Sequence, residues 1–101
     1  MEPLVSVVMP AYNGEKYIKE AIDSVLNQTY PNFELIIVED KSTDHTLNII
    51  QTYHDSRVKV YQNLQNKGIS YSTNKAIDQS NGKYIALLDD DDIALKRRLE
   101  W

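Results

Sequence analysis

Leu4-Val5-Ser6-Val7-Val8-Met9-Pro10 is a nearly continuous apolar run, rich in β-branched residues and closed by a proline. A half-buried strand would alternate apolar and polar residues, so the unbroken run predicts a strand covered on both faces, as in parallel sheets. Working outward, Phe33-Glu34-Leu35-Ile36-Ile37-Val38 has the same character and follows the turn signal Tyr30-Pro31-Asn32. Val58-Lys59-Val60-Tyr61 gives a short third strand. Lys83-Tyr84-Ile85-Ala86-Leu87-Leu88 gives a fourth, entered through the Asn81-Gly82 turn.

Helical patterns separate these runs. From Glu15 to Gln28 the pairs Tyr17-Ile18, Ala21-Ile22 and Val25-Leu26 recur every four residues, leaving Lys16, Lys19, Glu20 and Asp23 on the opposite side. A second helix has Ser42 or Thr43 as its cap, Asp44 against its dipole, and Leu47, Ile50 and Tyr53 on its apolar face. A third runs from Gly68 to Ser80 with Ile69, Thr73, Ala76 and Ile77 inward, and Ala94 to Trp101 resumes a helical pattern. Strands alternating with helices predict right-handed crossovers and a Rossmann-like three-layer α/β sandwich with a mainly parallel sheet. With strand order 3-2-1-4, the first and fourth strands become neighbours at a switch point, where ligands bind at the carboxyl ends.

The chain has 101 residues, no cysteine, 11 Lys+Arg and 15 Asp+Glu. Residues 1–101 therefore read as one domain, able to bury a core without disulfides or structural zinc. The absence of cysteine excludes thiol nucleophiles and thiolate metal sites and fits a cytoplasmic address, or the cytoplasmic face of a membrane in a longer protein. No signal peptide or membrane segment is expected, because the apolar runs are short and no basic region precedes the first. The net charge of -4 sits entirely in Asp89-Asp90-Asp91-Asp92, since the other 11 acids balance the 11 bases. Such a balance lacks the basic footprint of a nucleic-acid binder.

Polar clusters fall at the carboxyl ends of three expected strands: Pro10-Ala11-Tyr12-Asn13-Gly14, Glu39-Asp40-Lys41-Ser42 and the aspartate run. Carboxylates roughly 6 Å apart repel by about 3 kcal/mol per pair at an effective dielectric near 20, so four in a row need an offset. A solvated loop is one answer. A divalent cation is the other, and hard oxygen donors without nearby His or Cys point to Mg²⁺ or Mn²⁺. Asp89 and Asp91 would project to the same side of an extended backbone. The run is no EF-hand, because its sixth position is Ala94, and no glycine-rich phosphate loop is present. Asp40 reads either as a helix cap or as an acceptor for a base N–H, and Tyr12 either as packing or as a stacking face. His45 and His54 read as structural or surface residues.

Four segments, taken together and in order, resemble family 2 glycosyltransferases. They are Val5-Ser6-Val7-Val8-Met9-Pro10-Ala11-Tyr12-Asn13, residues 21–30, Ile37-Val38-Glu39-Asp40-Lys41-Ser42-Thr43-Asp44-His45-Thr46, and residues 82–92. The resemblance implies the GT-A fold, a nucleotide-diphosphate sugar donor, most naturally a UDP-sugar, and a divalent metal, for inverting transfer to a carbohydrate or lipid-linked acceptor. It implies that Tyr12 stacks near the base, that Asp40 hydrogen-bonds it, and that Pro10, Lys67 and Asp90 border the nucleotide. The family's Asp-x-Asp motif falls on Asp89-Asp90-Asp91, with Asp91 the leading metal ligand and Asp89 its companion. Glu39 and Lys41 stand where the family usually has aspartate and glycine, so the following loop is expected to take a different path. The family's general base is expected beyond Trp101, which leaves the catalytic residue unassigned. Two alternatives remain: a metal-dependent phosphatase or phosphotransferase with an aspartate nucleophile, and a non-catalytic fragment that forms a homodimer through an uncovered fourth strand or a face beneath it.

Overall fold

The computed structural model describes residues 3–28 and 30–88. Its elements run β1 (Val5–Ala11), α1 (Ile18–Leu26), β2 (Phe33–Glu39), α2 (Thr46–Ile50), β3 (Val58–Gln62), α3 (Ile69–Asp78) and β4 (Tyr84–Leu87). The strands form one sheet in the order β3-β2-β1-β4, every pair parallel. In the register Val5 stands between Phe33 and Tyr84, and Val8 between Ile36 and Leu87.

Side chains alternate across the sheet and meet different layers. Val5, Val7, Met9, Leu35 and Ile37 pack under Ile18, Ala21, Ile22 and Val25 of α1 and Ile50 of α2. Val8, Ile36 and Val38 pack under Ala76 of α3 on the other face, with Tyr61 and Ile77 beside them. This is the expected three-layer α/β sandwich, and the doubly covered β1 and β2 account for their nearly unbroken apolar runs.

Four expectations need correction. The first strand does not close at the proline but runs through Pro10 to Ala11, whose partners are Val38 and Glu39 of β2. The first helix begins at Ile18 rather than Glu15, because Tyr17 and Ile18 both donate their N–H to the Gly14 carbonyl in a preceding turn. The second begins only at Thr46: Ser42 and Thr43 do not cap it but bind Asn13, while Asp44 Oδ1 accepts the Thr46 N–H at 2.9 Å. In α3 the inward stripe centres on Ser72 and Ala76, and Ile69 is 62% exposed. Small inward residues let the helix approach the sheet closely.

The fourth strand pairs with β1 and is largely exposed. Among the described strands it lies at one end of the sheet, and Tyr84 (55%) and Ile85 (43%) are exposed.

At the amino ends of the strands a polar cluster crosses the sheet. Glu34 accepts hydrogen bonds from Ser6 Oγ (2.6 Å), Lys59 Nζ (2.8 Å) and the Asn81 N–H (2.7 Å), and Ser6 Oγ accepts the Gly82 N–H (2.8 Å). Gly82 is required there by proximity: a Cβ would stand 2.6 Å from the Ser6 nitrogen and 2.9 Å from the Leu4 carbonyl oxygen. Burial alone would raise the Glu34 carboxyl, but these donors overcome it and hold the group at about 2. Among the described residues, every buried side-chain nitrogen and oxygen has a partner.

Candidate functional site

The carboxyl ends of β1, β2 and β3 come together through backbone bonds that extend the sheet by one residue. The Asp40 N–H donates to the Ala11 carbonyl and the Asn63 N–H to the Glu39 carbonyl, both at 2.8 Å. Tyr12, Asp40 and Asn63 therefore leave the sheet side by side.

The loop after β1 is stitched to the loop after β2. Asn13, with φ +50°, donates its N–H to Ser42 Oγ (2.9 Å) and accepts the Thr43 N–H on Oδ1 (2.8 Å). The Gly14 N–H donates to Thr46 Oγ1 (2.8 Å), and His45 Nδ1 meets Glu15 Oε2 at 3.0 Å on the surface. Lys41 adopts φ +55°, and the Ser42 N–H donates to the buried Glu39 carboxylate at 2.6 Å. Tyr12, at the start of this pair of loops, is 46% exposed.

Asp40 is 3% exposed and binds the segment before α3. Its Oδ1 accepts the Lys67 N–H (2.7 Å) and Asn63 Nδ2 (2.9 Å), and its Oδ2 accepts the Gly68 N–H (2.9 Å). Gly68 has φ +91°, a conformation open to glycine, which aims two successive N–H groups at one carboxylate. Burial works to raise the Asp40 carboxyl, but the Lys67, Asn63 and Gly68 donors prevail and hold it below its ordinary value. A carboxylate offers about four acceptor positions. Three are used, so among the described residues one remains open, on Oδ2.

The structure thus joins Tyr12, Asp40 and Lys67 at one rim, with Pro10 half-buried inside β1. The Lys67 ammonium stands 5.9 Å from the Tyr71 ring centre, beside a 470 Å³ groove that Asn63 and Lys75 also line. Asp89, Asp90 and Asp91 lie outside the described residues. The chain leads toward them from Leu88, whose N–H donates to the Val8 carbonyl at 3.1 Å, two residues before Pro10. Among the described residues no group of three His, Cys, Asp or Glu side chains is arranged to hold a metal ion. No described helix is long and apolar enough to cross a membrane.

Asn63 belongs to the site, and the sequence reading passed over it. The signal was available, since it is a polar residue immediately after a strand, as Asp40 is.

Comparison with known proteins agrees with this geometry. The model for Glycosyl transferase family 2 matches residues 6–100. The Escherichia coli UDP-Glc:alpha-D-GlcNAc-diphosphoundecaprenol beta-1,3-glucosyltransferase WfgD is 43% identical over 97 residues, covering 96% of this chain and 38% of its own length. S. aureus TarS 1-349 in complex with UDP-GlcNAc superposes with a TM-score of 0.90 at 38% identity, covering 95% of this chain and 29% of that one. The mannosyltransferase PcManGT from Pyrobaculum calidifontis, in complex with GDP-Man and Mn²⁺, gives 0.84 at 26% identity, covering 92% and 29%. The chain spans less than half the length of the curated relatives it matches. The order of its strands, its rim of loops and these matches together place the chain in glycosyl transferase family 2.

Proposed function

We propose that this chain is the donor-binding part of a glycosyltransferase that takes a UDP-sugar and inverts the anomeric carbon on transfer to a carbohydrate or lipid-linked hydroxyl. The observation that carries the reading is the single open acceptor position on the buried, ionised Asp40. Uracil presents one ring N–H between two carbonyls and matches one acceptor. Guanine presents two adjacent donors and would leave one unpaired, a costly mismatch in a buried setting. Tyr12 supplies a stacking face beside Asp40, and Lys67 and Pro10 border the nucleotide. The nucleotide-sugar complex of TarS supports the donor class, and the family membership leaves the phosphotransferase alternative without support.

Asp89 and Asp91 are the residues that would hold Mg²⁺ or Mn²⁺, and Asp90 is counted among the nucleotide-binding residues. Their donor set fits, being carboxylate oxygen without thiolate or imidazole. When bound, the ion supplies neutralisation of the departing diphosphate. No general base is assigned within residues 1–101.

The test is thermal. UDP with Mn²⁺ at a hundredfold its Kd should stabilise the folded chain by about 2.7 kcal/mol, seen as a raised Tm, and Asp91→Ala should abolish the shift. An unchanged Tm in the folded wild-type chain overturns the proposal.

A further inference from the structure

We infer that Asn63 is a positioning residue that sets which oxygen of Asp40 faces the base, and so sets selectivity for uracil; the inference rests on the donor-binding role proposed above. Asn63 is 6% exposed, and its backbone is pinned to β2 through the Glu39 carbonyl. Its Nδ2 donates to Asp40 Oδ1 (2.9 Å) and to Ser72 Oγ (3.0 Å), and its Oδ1 accepts Lys75 Nζ (3.0 Å). The Asp40 carboxylate, which only accepts, and the Lys75 ammonium, which only donates, fix the sense of the amide. Turned over, it would set its oxygen against a carboxylate and its NH₂ against an ammonium. Ser72 and Lys75 lie one turn apart on α3, so the helix holds the amide and the amide holds the carboxylate.

The consequence is an asymmetry between the two oxygens of Asp40. Lys67 N–H and Asn63 together saturate Oδ1, while Oδ2 keeps its open position. Without Asn63, Oδ1 also has an acceptor to offer and the carboxylate is freer to turn about χ2. The site would then accept bases with more than one donor, or with none at the uracil ring nitrogen, nearly as well.

A pair of ligands separates this role from plain structural support. UDP and N3-methyl-UDP differ in the one N–H that Asp40 reads, and calorimetry with Mn²⁺ gives both Kd values for the 101-residue chain. The wild type should prefer UDP by about tenfold or more, the scale of a hydrogen bond to a charged acceptor. Asn63→Leu, close in shape, should shrink that preference to within about threefold. Lys75→Met, which does not touch Asp40, should give an intermediate ratio.

A variant that merely loosens the fold would weaken both ligands by the same factor and keep the ratio. Circular dichroism checks that each variant folds, and Lys75→Met decides the matter if Asn63→Leu does not. Wild-type ratios in the folded variants overturn the role of Asn63 while leaving donor binding intact. A wild type that binds UDP without preferring it over N3-methyl-UDP removes the Asp40 base contact, and this inference with it.

Discussion

Lys41 occupies a left-handed backbone conformation, φ +55°, that glycine enters freely and a lysine enters at a cost. The loop keeps this conformation because its neighbours are fixed from outside: Asp40 through the Ala11 carbonyl, Ser42 through the Glu39 carboxylate and the Asn13 N–H. Lys41→Gly should therefore stabilise the chain, by about 0.5–1 kcal/mol once the added freedom of the unfolded glycine is counted. Urea denaturation of the two proteins measures it. At this scale the sequence was readable where a residue's neighbours in the chain decide its role. Asp40 ended an apolar strand, and Asn13-Gly14 announced a turn. Asn63 was hidden because its partners, Asp40, Ser72 and Lys75, are brought to it only by the parallel pairing of β2 with β3 and the packing of α3.

Periodicity found every described element but misplaced several of their ends and one helix face; the helical pattern of Ala94 to Trp101 lies outside the described residues. Helix α2 starts late because Ser42 and Thr43 serve the loop after β1, a long-range demand that a local capping rule does not contain. Helix α3 turns Ser72 inward, where its hydroxyl meets Asn63, at the expense of Ile69. Among the strands, β2 carries the one charged residue buried in mid-run, and Glu34 gives that strand a pH signature. Its folded carboxyl sits at about 2, below the roughly 4.3 of an unfolded glutamate, so its contribution is complete above about pH 4.5 and is lost as the pH falls toward 2. That contribution is on the order of 3 kcal/mol. Urea midpoints measured from pH 6 to pH 2 should fall steeply for the wild type and less for Glu34→Gln, the two curves converging at the acid end.

For the molecule as a whole, the layered α/β architecture and strand order were legible because two covered strands and four helix-strand alternations leave few arrangements. The order 3-2-1-4 also leaves β4 at one end of the sheet, and an uncovered fourth strand is one of the outcomes that the sequence allows. Among the described residues its outer edge has no partner strand, and with the exposed Tyr84 and Ile85 it forms a surface suited to pairing with another strand. The 101-residue chain should associate with itself as concentration rises, and Ile85→Lys should return it to monomers, both followed by light scattering. The polar cluster around Glu34 has a different consequence. It ties β1, β2, β3 and the entry to β4 together at the pole of the sheet opposite the loops that carry Tyr12, Asp40 and Lys67. Rigidity and recognition are thereby housed apart, so the upper loops are free to be rewritten for a new sugar or base while the foundation that keeps the strands in register stays untouched.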